Sequence, residues 1–275
     1  MTQISRRSLF GAAAAASVLP AAGGLAAFSP IAAAAAAPKK VRTIAEIASM
    51  SPVDMARESD VVQTAYQIIR TSAGRLRDPA LRKAVLDILD NPAPTIASAD
   101  EGAVLATLKK EGLIAENRTS VFPKTADASR SAQPTWSAPG SGYSSHHAYP
   151  GGLCTHVALN VVSAESLVAA YDNIDGLKLD FDHAVGGEIL HDLHKPWVFQ
   201  WESDNACRKE EALAGTGEHH VLSIAESIKR KLPAEFVVAQ ACAHEHPGSA
   251  SGEAQVVGWL RAAAIIAGVD PVKEG

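Results

Sequence analysis

Histidine is missing from both flanks of this 275-residue chain: all ten lie between His146 and His246. Imidazole is the commonest side-chain metal ligand, so this confinement points to one site built within one domain. Cysteine is scarce. Cys154, Cys207 and Cys242 cannot all pair within one chain, and no Cys-x-x-Cys occurs, which argues against a zinc-thiolate site. A Cys207–Cys242 disulfide is compatible with an oxidising compartment, although the sequence does not choose a pairing. Aromatic residues make up only 5% of the chain, while alanine is abundant and favours helix. No alternating strand pattern or hairpin signal stands out. A stable membrane-spanning helix is also absent near the start, because Pro20, Gly23, Gly24 and Pro30 interrupt the apolar stretch.

That first stretch is instead a targeting segment. Ser5-Arg6-Arg7-Ser8-Leu9-Phe10 resembles a twin-arginine export signal, and the Ala run at 32–37 offers Ala-x-Ala cleavage sites. Residues 1–37 are therefore expected to be recognised by the twin-arginine export machinery and removed. A periplasmic or secreted protein with no stable membrane anchor would remain. Losing Arg6 and Arg7 from 25 basic residues leaves 23 against 30 acidic ones, a formal charge of −7. That balance disfavours a long nucleic acid as partner, since phosphate backbones are held by basic surface, but leaves room for a small-molecule substrate.

Residues 38–116 read as an N-terminal helical region. Ile44, Ile47, Val62, Ala65, Ile68 and Ile69 follow helical spacing. Pro79 suits a first helical turn, Asp100 an N-cap, and Gly112 a stop. No catalytic constellation appears there, so its expected role is a packing layer. Between 117 and 145 the periodicity disappears among Pro, Gly, Ser and Thr, which predicts a long loop. The loop leads into Ser141-Gly-Tyr-Ser-Ser-His-His-Ala-Tyr-Pro-Gly-Gly152 and carries His146, His147 and Tyr149 toward a site as candidate substrate contacts. From Leu153 on, helices are predicted at His156–Tyr171, Phe181–Lys195 (stopped by Pro196), His219–Lys231, Pro233–His246 and Glu253–Ala267. The fold class is all-α.

The centre of this half is Glu188-Ile-Leu-His-Asp-Leu-His-Lys-Pro-Trp197. Candidate ligands His156, His191, Asp192, His219 or His220, and His244 or His246 fall near the ends of different predicted helices, with Asp270 following. Helix ends converging on one point let a bundle build a metal site from facing helices. Neutral imidazoles and carboxylates would suit Mn, Fe, Co, Ni or Zn. His183 is two helical turns before His191 and reads as a supporting or packing residue. Trp197, Phe199 and Trp201 read chiefly as packing aromatics.

The order His, His-Asp, His, His, Asp resembles the HD domain superfamily of metal-dependent phosphohydrolases. His147-Ala-Tyr-Pro-Gly-Gly-Leu-Cys-Thr-His156 is similar to its opening motif, and Ile189-Leu-His-Asp-Leu-His-Lys195 to its His-Asp signature. The resemblance covers residues 146–275 and implies an HD-domain helical bundle with an N-terminal helical extension. It implies one or two divalent metal ions bound by His156, His191, Asp192 and Asp270, with Asp192 able to bridge and His219 and His244 serving a second ion. It also implies catalytic roles for Asp192 and Lys195. The competing role for Lys195 is a helix C-terminal cation favoured by the dipole. His194 stands where the family commonly has Gly and is a further candidate substrate contact. The expected reaction is phosphoester hydrolysis by a metal-activated water. Relatives of the superfamily that use a mixed-valent di-iron centre and O₂, and a non-catalytic metal-binding module, are the alternatives.

Overall fold

The computed structural model describes residues 41–124, 132–142 and 145–272. Residues 1–37, the expected export segment, lie outside them. Helices dominate, as the composition predicts. Four come first: α1 Ile44–Ala48, α2 Pro52–Glu58, α3 Asp60–Gly74 and α4 Pro79–Asp90. Side-chain oxygens close their N-termini, satisfying backbone N–H groups that have no partner inside the helix. Thr43 and Glu46 form a reciprocal box at α1, and Ser51, Ser59 and Asp78 cap the next three. Helix α5, Glu101–Lys110, is capped by Asp100 and released at Gly112, whose φ of 68° is the left-handed conformation that glycine adopts freely.

The second half contains α6 Gly152–Ala170, α7 Phe181–Leu190, the short α8 Lys195–Val198, α9 Glu218–Lys229, α10 Ala234–Cys242 and α11 Ala250–Ala267. Two features differ from the sequence reading. Helix α7 ends at Leu190, and residues 191–194 turn before α8 starts, so Pro196 sits in the first turn of α8. The ring needs no N–H there, which makes this a natural place for proline. A hairpin also appears, with β1 Ala212–Leu213 paired to β2 Thr216–Gly217. Its two central residues, Ala214 and Gly215, both have positive φ, the geometry of a tight primed turn. Strands of two residues leave no alternation to read.

The helices bury two apolar clusters. One joins α2, α3 and α4 to α6 and α7 through Val62, Ile69, Leu76, Val85, Val157, Val185 and Leu190. The other gathers α5, α8, α9 and α11 around Leu108, Val198, Leu222, Trp259 and Ile266. Helix α10 serves both, giving Phe236 to the first and Val237 and Ala241 to the second. Gly186 and Gly187 let α7 approach α10 closely: a Cβ at Gly186 would lie 2.7 Å from the Phe236 ring. The N-terminal helices are thus a packing layer with a shared interior. Buried carboxylates fasten the connections. Asp182 on α7 accepts from the backbone N–H groups of Arg77 and Asp78, at 2.8 and 2.7 Å. Glu226 on α9 accepts from those of Thr95 and Ile96.

Candidate metal centre

The imidazole donors come from the places where these helices start and stop. His156 is in the second turn of α6, and His191 and Asp192 follow the last residue of α7. His219 and His220 open α9, and His244 lies just past α10. They meet between the two apolar clusters, lining a cleft of about 460 Å³. Asp192 is fully buried at the centre. Its Oδ2 lies 3.0 Å from His191 Nε2 and 3.2 Å from His156 Nε2, and those two nitrogens are 3.2 Å apart. Its Oδ1 lies 3.3 Å from His219 Nε2 and 3.6 Å from His244 Nε2.

These separations test whether a metal fits. Two donors each about 2.0–2.1 Å from one ion are about 2.9–3.4 Å apart at octahedral or tetrahedral angles. His156, His191 and Asp192 meet that condition pairwise. The hydrogen bonds on the far side of the rings support it. His191 Nδ1 donates to the Glu188 carbonyl at 2.7 Å, which turns the Nε2 lone pair toward Asp192. His219 Nδ1 is bonded to Glu210 Oε2 at 2.5 Å, directing its Nε2 in the same way. Lone pairs facing a carboxylate require a cation between them. A proton answers that need in part: burial lowers the His191 pKa, yet Asp192 more than offsets this and holds it above the ordinary value. A divalent ion answers it at several donors together. The donor atoms of His156, His191 and Asp192 lie within 4.8 Å of one another, as do those of Asp192, His219, His220 and His244. The residues therefore fit one ion on the Oδ2 side of Asp192; on the Oδ1 side His219 at 3.3 Å meets the spacing and His244 at 3.6 Å lies just beyond it.

Electrostatics favour the ligand-competent forms of Asp192, His220 and His244. Burial pushes the Asp192 carboxyl up, but His191 and Lys195 outweigh it and hold the group well below the usual carboxylate range. Burial lowers His244 to about 3, and it lowers His220 with help from His219 and His244. Both rings are neutral at pH 7, as ligation requires. His220 stacks on His244 with centroids 3.4 Å apart, and its Nδ1 contacts Thr216 Oγ1 at 2.6 Å.

Lys195 is buried, with Nζ 2.5 Å from Asp192 Oδ2 and bonded to the Gly140 carbonyl. It lines the cleft and does not serve as an exposed helix-end cation. His146 also lines the cleft, and His147 stands beside it with Nδ1 atoms 3.1 Å apart. Three predicted residues lie elsewhere. Asp270 is exposed beyond α11 and accepts from Val272 N, so it is outside both donor groups. The final helix ends at Gly268, before the residue whose side chain would have to reach inward. His194 is fully buried, bonded through Nε2 to Glu226 and through its backbone N–H to Ser223; it packs the turn and does not meet the cleft. Tyr149 is half-exposed, its hydroxyl paired with Thr155. The three cysteines are free thiols, and burial raises Cys154 and Cys207 to about 12.

His220, the alternative to His219 in the sequence, joins it in the donor group. Three further participants were not named from the sequence. Asn160, one turn after His156 on α6, lines the cleft and was within reach of a helical-face argument. Glu210 and Lys209 arrive through the hairpin, and nothing in their local sequence marks them.

Among known proteins, no family model matches this chain, and no solved structure matches it. The chain is similar to the dihydroneopterin 2′,3′-cyclic phosphate phosphodiesterase of Methanocaldococcus jannaschii, 27% identical over 180 residues. The match covers 62% of this chain and 56% of that protein, so the chain spans little more than half the length of this curated relative.

Proposed function

We propose that this protein is a metal-dependent phosphodiesterase of the HD superfamily, exported by the twin-arginine route, that hydrolyses a small-molecule phosphodiester. The observation that carries this reading is the buried Asp192 with imidazole donors on both of its oxygens. The likeness to a cyclic phosphate phosphodiesterase supports the substrate class.

Ions held by His156, His191 and Asp192, and by Asp192, His219, His220 and His244, would lower the pKa of a bound water and stabilise charge on phosphoryl oxygen. The protein's own groups do the rest. Asp192 holds both donor groups in register from a position water does not reach. Glu210 fixes the His219 ring with Nε2 inward, and the Glu188 carbonyl does the same for His191. Lys195 sets a positive charge against the cleft, where a phosphodiester anion would be received. His146 and Asn160 are placed along the same wall to orient that substrate.

The test is hydrolysis of a 2′,3′-cyclic nucleotide and of bis(p-nitrophenyl) phosphate by the full chain loaded in turn with Mn, Fe, Co, Ni and Zn. Turnover in the native protein and its loss in Asp192→Ala, with helix content retained, is the expected result. No turnover of either ester with any of these metals would overturn the phosphodiesterase reading. Native metal stoichiometry in Asp192→Ala would overturn the site.

A further inference from the structure

A third cluster of imidazoles adjoins the two donor groups centred on Asp192 and shares His156 with one of them. We propose that His146, His147 and His156 form an additional cation site, built by the loop before α6, for a borderline divalent ion of the Co, Ni or Zn type.

Three observations carry it. The donor nitrogens of the three residues lie within 4.8 Å of one another. The Nδ1 atoms of His146 and His147 are 3.1 Å apart, inside the range of about 2.9–3.4 Å that neighbouring ligands of one ion span. Their rings also stand 4.9 and 5.5 Å from that of His156, centroid to centroid. Adjacent side chains in an extended loop would diverge. Here they converge because His147 has a φ of 55°, a left-handed conformation that non-glycine residues seldom adopt.

That conformation is held by construction. The His147 carbonyl accepts from Gly140 N at 2.8 Å, and the His146 carbonyl accepts from Ser141 Oγ at 2.7 Å. Gly152, in the first turn of α6, makes room for the fold-back: a Cβ there would sit 1.9 Å from the His147 carbonyl oxygen. The backbone is thus clamped between the loop and the helix that carries His156. No carboxylate belongs to this cluster, so hard ions such as Mg and Ca are disfavoured and imidazole-preferring ions are selected. His156 is common to this cluster and to the Asp192 group; a neutral imidazole has a single lone pair, so holding an ion at each of its two nitrogens takes the imidazolate form, the ring N–H proton passing to solvent. An ion here would sit beside the cleft that His146 lines, within reach of an anionic substrate oxygen. The site does not depend on the phosphodiesterase reading.

The simplest rival is an N–H···N hydrogen bond between the two rings, which would hold them at the same distance without any metal. Cobalt uptake separates the two. The full chain, His146→Gln, the His146→Ala/His147→Ala double variant, Asp192→Ala, and the triple variant combining all three Ala substitutions are equilibrated with Co²⁺. Bound metal is counted by elemental analysis, and the visible spectrum is recorded. Asp192→Ala should keep one Co²⁺ that the triple variant loses, and the native chain should bind one more equivalent than the double variant. His146→Gln leaves the His147 backbone untouched and should weaken that equivalent at least tenfold, so the test survives if the double variant does not fold. Equal stoichiometry and identical spectra in the native chain and His146→Gln would overturn the proposal in favour of the hydrogen bond.

Discussion

Replacing Glu226 by Gln should cost the fold heavily while leaving the metal donors in place. The carboxylate is fully buried on α9. Its oxygens accept from Thr95 N, Ile96 N, Thr95 Oγ1 at 2.8 Å, Arg230 Nε at 2.6 Å and His194 Nε2 at 3.3 Å. It therefore ties the segment before α5, the turn carrying His191 and Asp192, and its own helix into one network. An amide of the same shape turns one of the two oxygens into an NH2 whose N–H groups face donors, and leaves Arg230 without its anion. Removing one partner of such a buried ionic network costs about 3–5 kcal/mol. At about 2–4 °C per kcal/mol for a domain of this size, the melting temperature should fall by roughly 6–20 °C. The pH dependence gives a sharper test. Burial raises the Glu226 pKa, but the bonds from His194, Arg230 and Thr95 outweigh this and leave it below the ordinary value. A depressed carboxyl stabilises the fold above its unfolded pKa of about 4.3, and that contribution is lost as pH falls toward the folded value. In urea unfolding, native protein and Glu226→Gln should therefore differ most at pH 5–7. Below about pH 4.3 the gap should close by up to about 1.4 kcal/mol per pH unit. A gap under 1 kcal/mol at pH 7, or one that stays constant down to pH 3, would refute the reasoning.

Glu210→Gln should release the His219 ring and weaken the ion on that side of Asp192 by about 10–100-fold, read by competition with a chromophoric chelator; unchanged affinity would remove Glu210 from the site. Lys195→Met keeps the length of a buried side chain but deletes its charge, so kcat/KM for a phosphodiester should drop by about 10²–10³ with metal content preserved. A drop confined to metal content would mean that Lys195 serves Asp192 and not the substrate. Replacing Arg6 and Arg7 with Lys should hold the protein in the cytoplasm, whereas the native chain should appear in the periplasmic fraction with residues 1–37 removed. Identical fractionation of the two would end the twin-arginine proposal.

Much of this protein is determined locally and could be read before any tertiary structure was known. Helix starts at Pro79 and Glu101 follow from Pro79 and Asp100 themselves, and the release at Gly112 follows from a residue free to take positive φ. The all-α class follows from helical periodicity on both sides of the 117–145 loop. The central donors were legible because His156, His191, His219 and His244 fall at helix ends, where a bundle brings chain segments together. What the tertiary structure decided depends on direction and on distant chain. His194 and Lys195 are neighbours in sequence, yet one packs against Glu226 and the other enters the cleft, because the turn after Leu190 rotates them apart. Asp270 lies beyond the glycine that ends α11, and only the path of that helix shows that its carboxylate stays outside the donor groups. Glu210 reaches His219 through a hairpin too short to leave a pattern. The backbone of His147 folds back because Gly140 and Gly152, from either side, leave space for nothing larger. Local propensity acts over a few residues and is written in them; the aim of a side chain is set by whatever the rest of the chain packs against it.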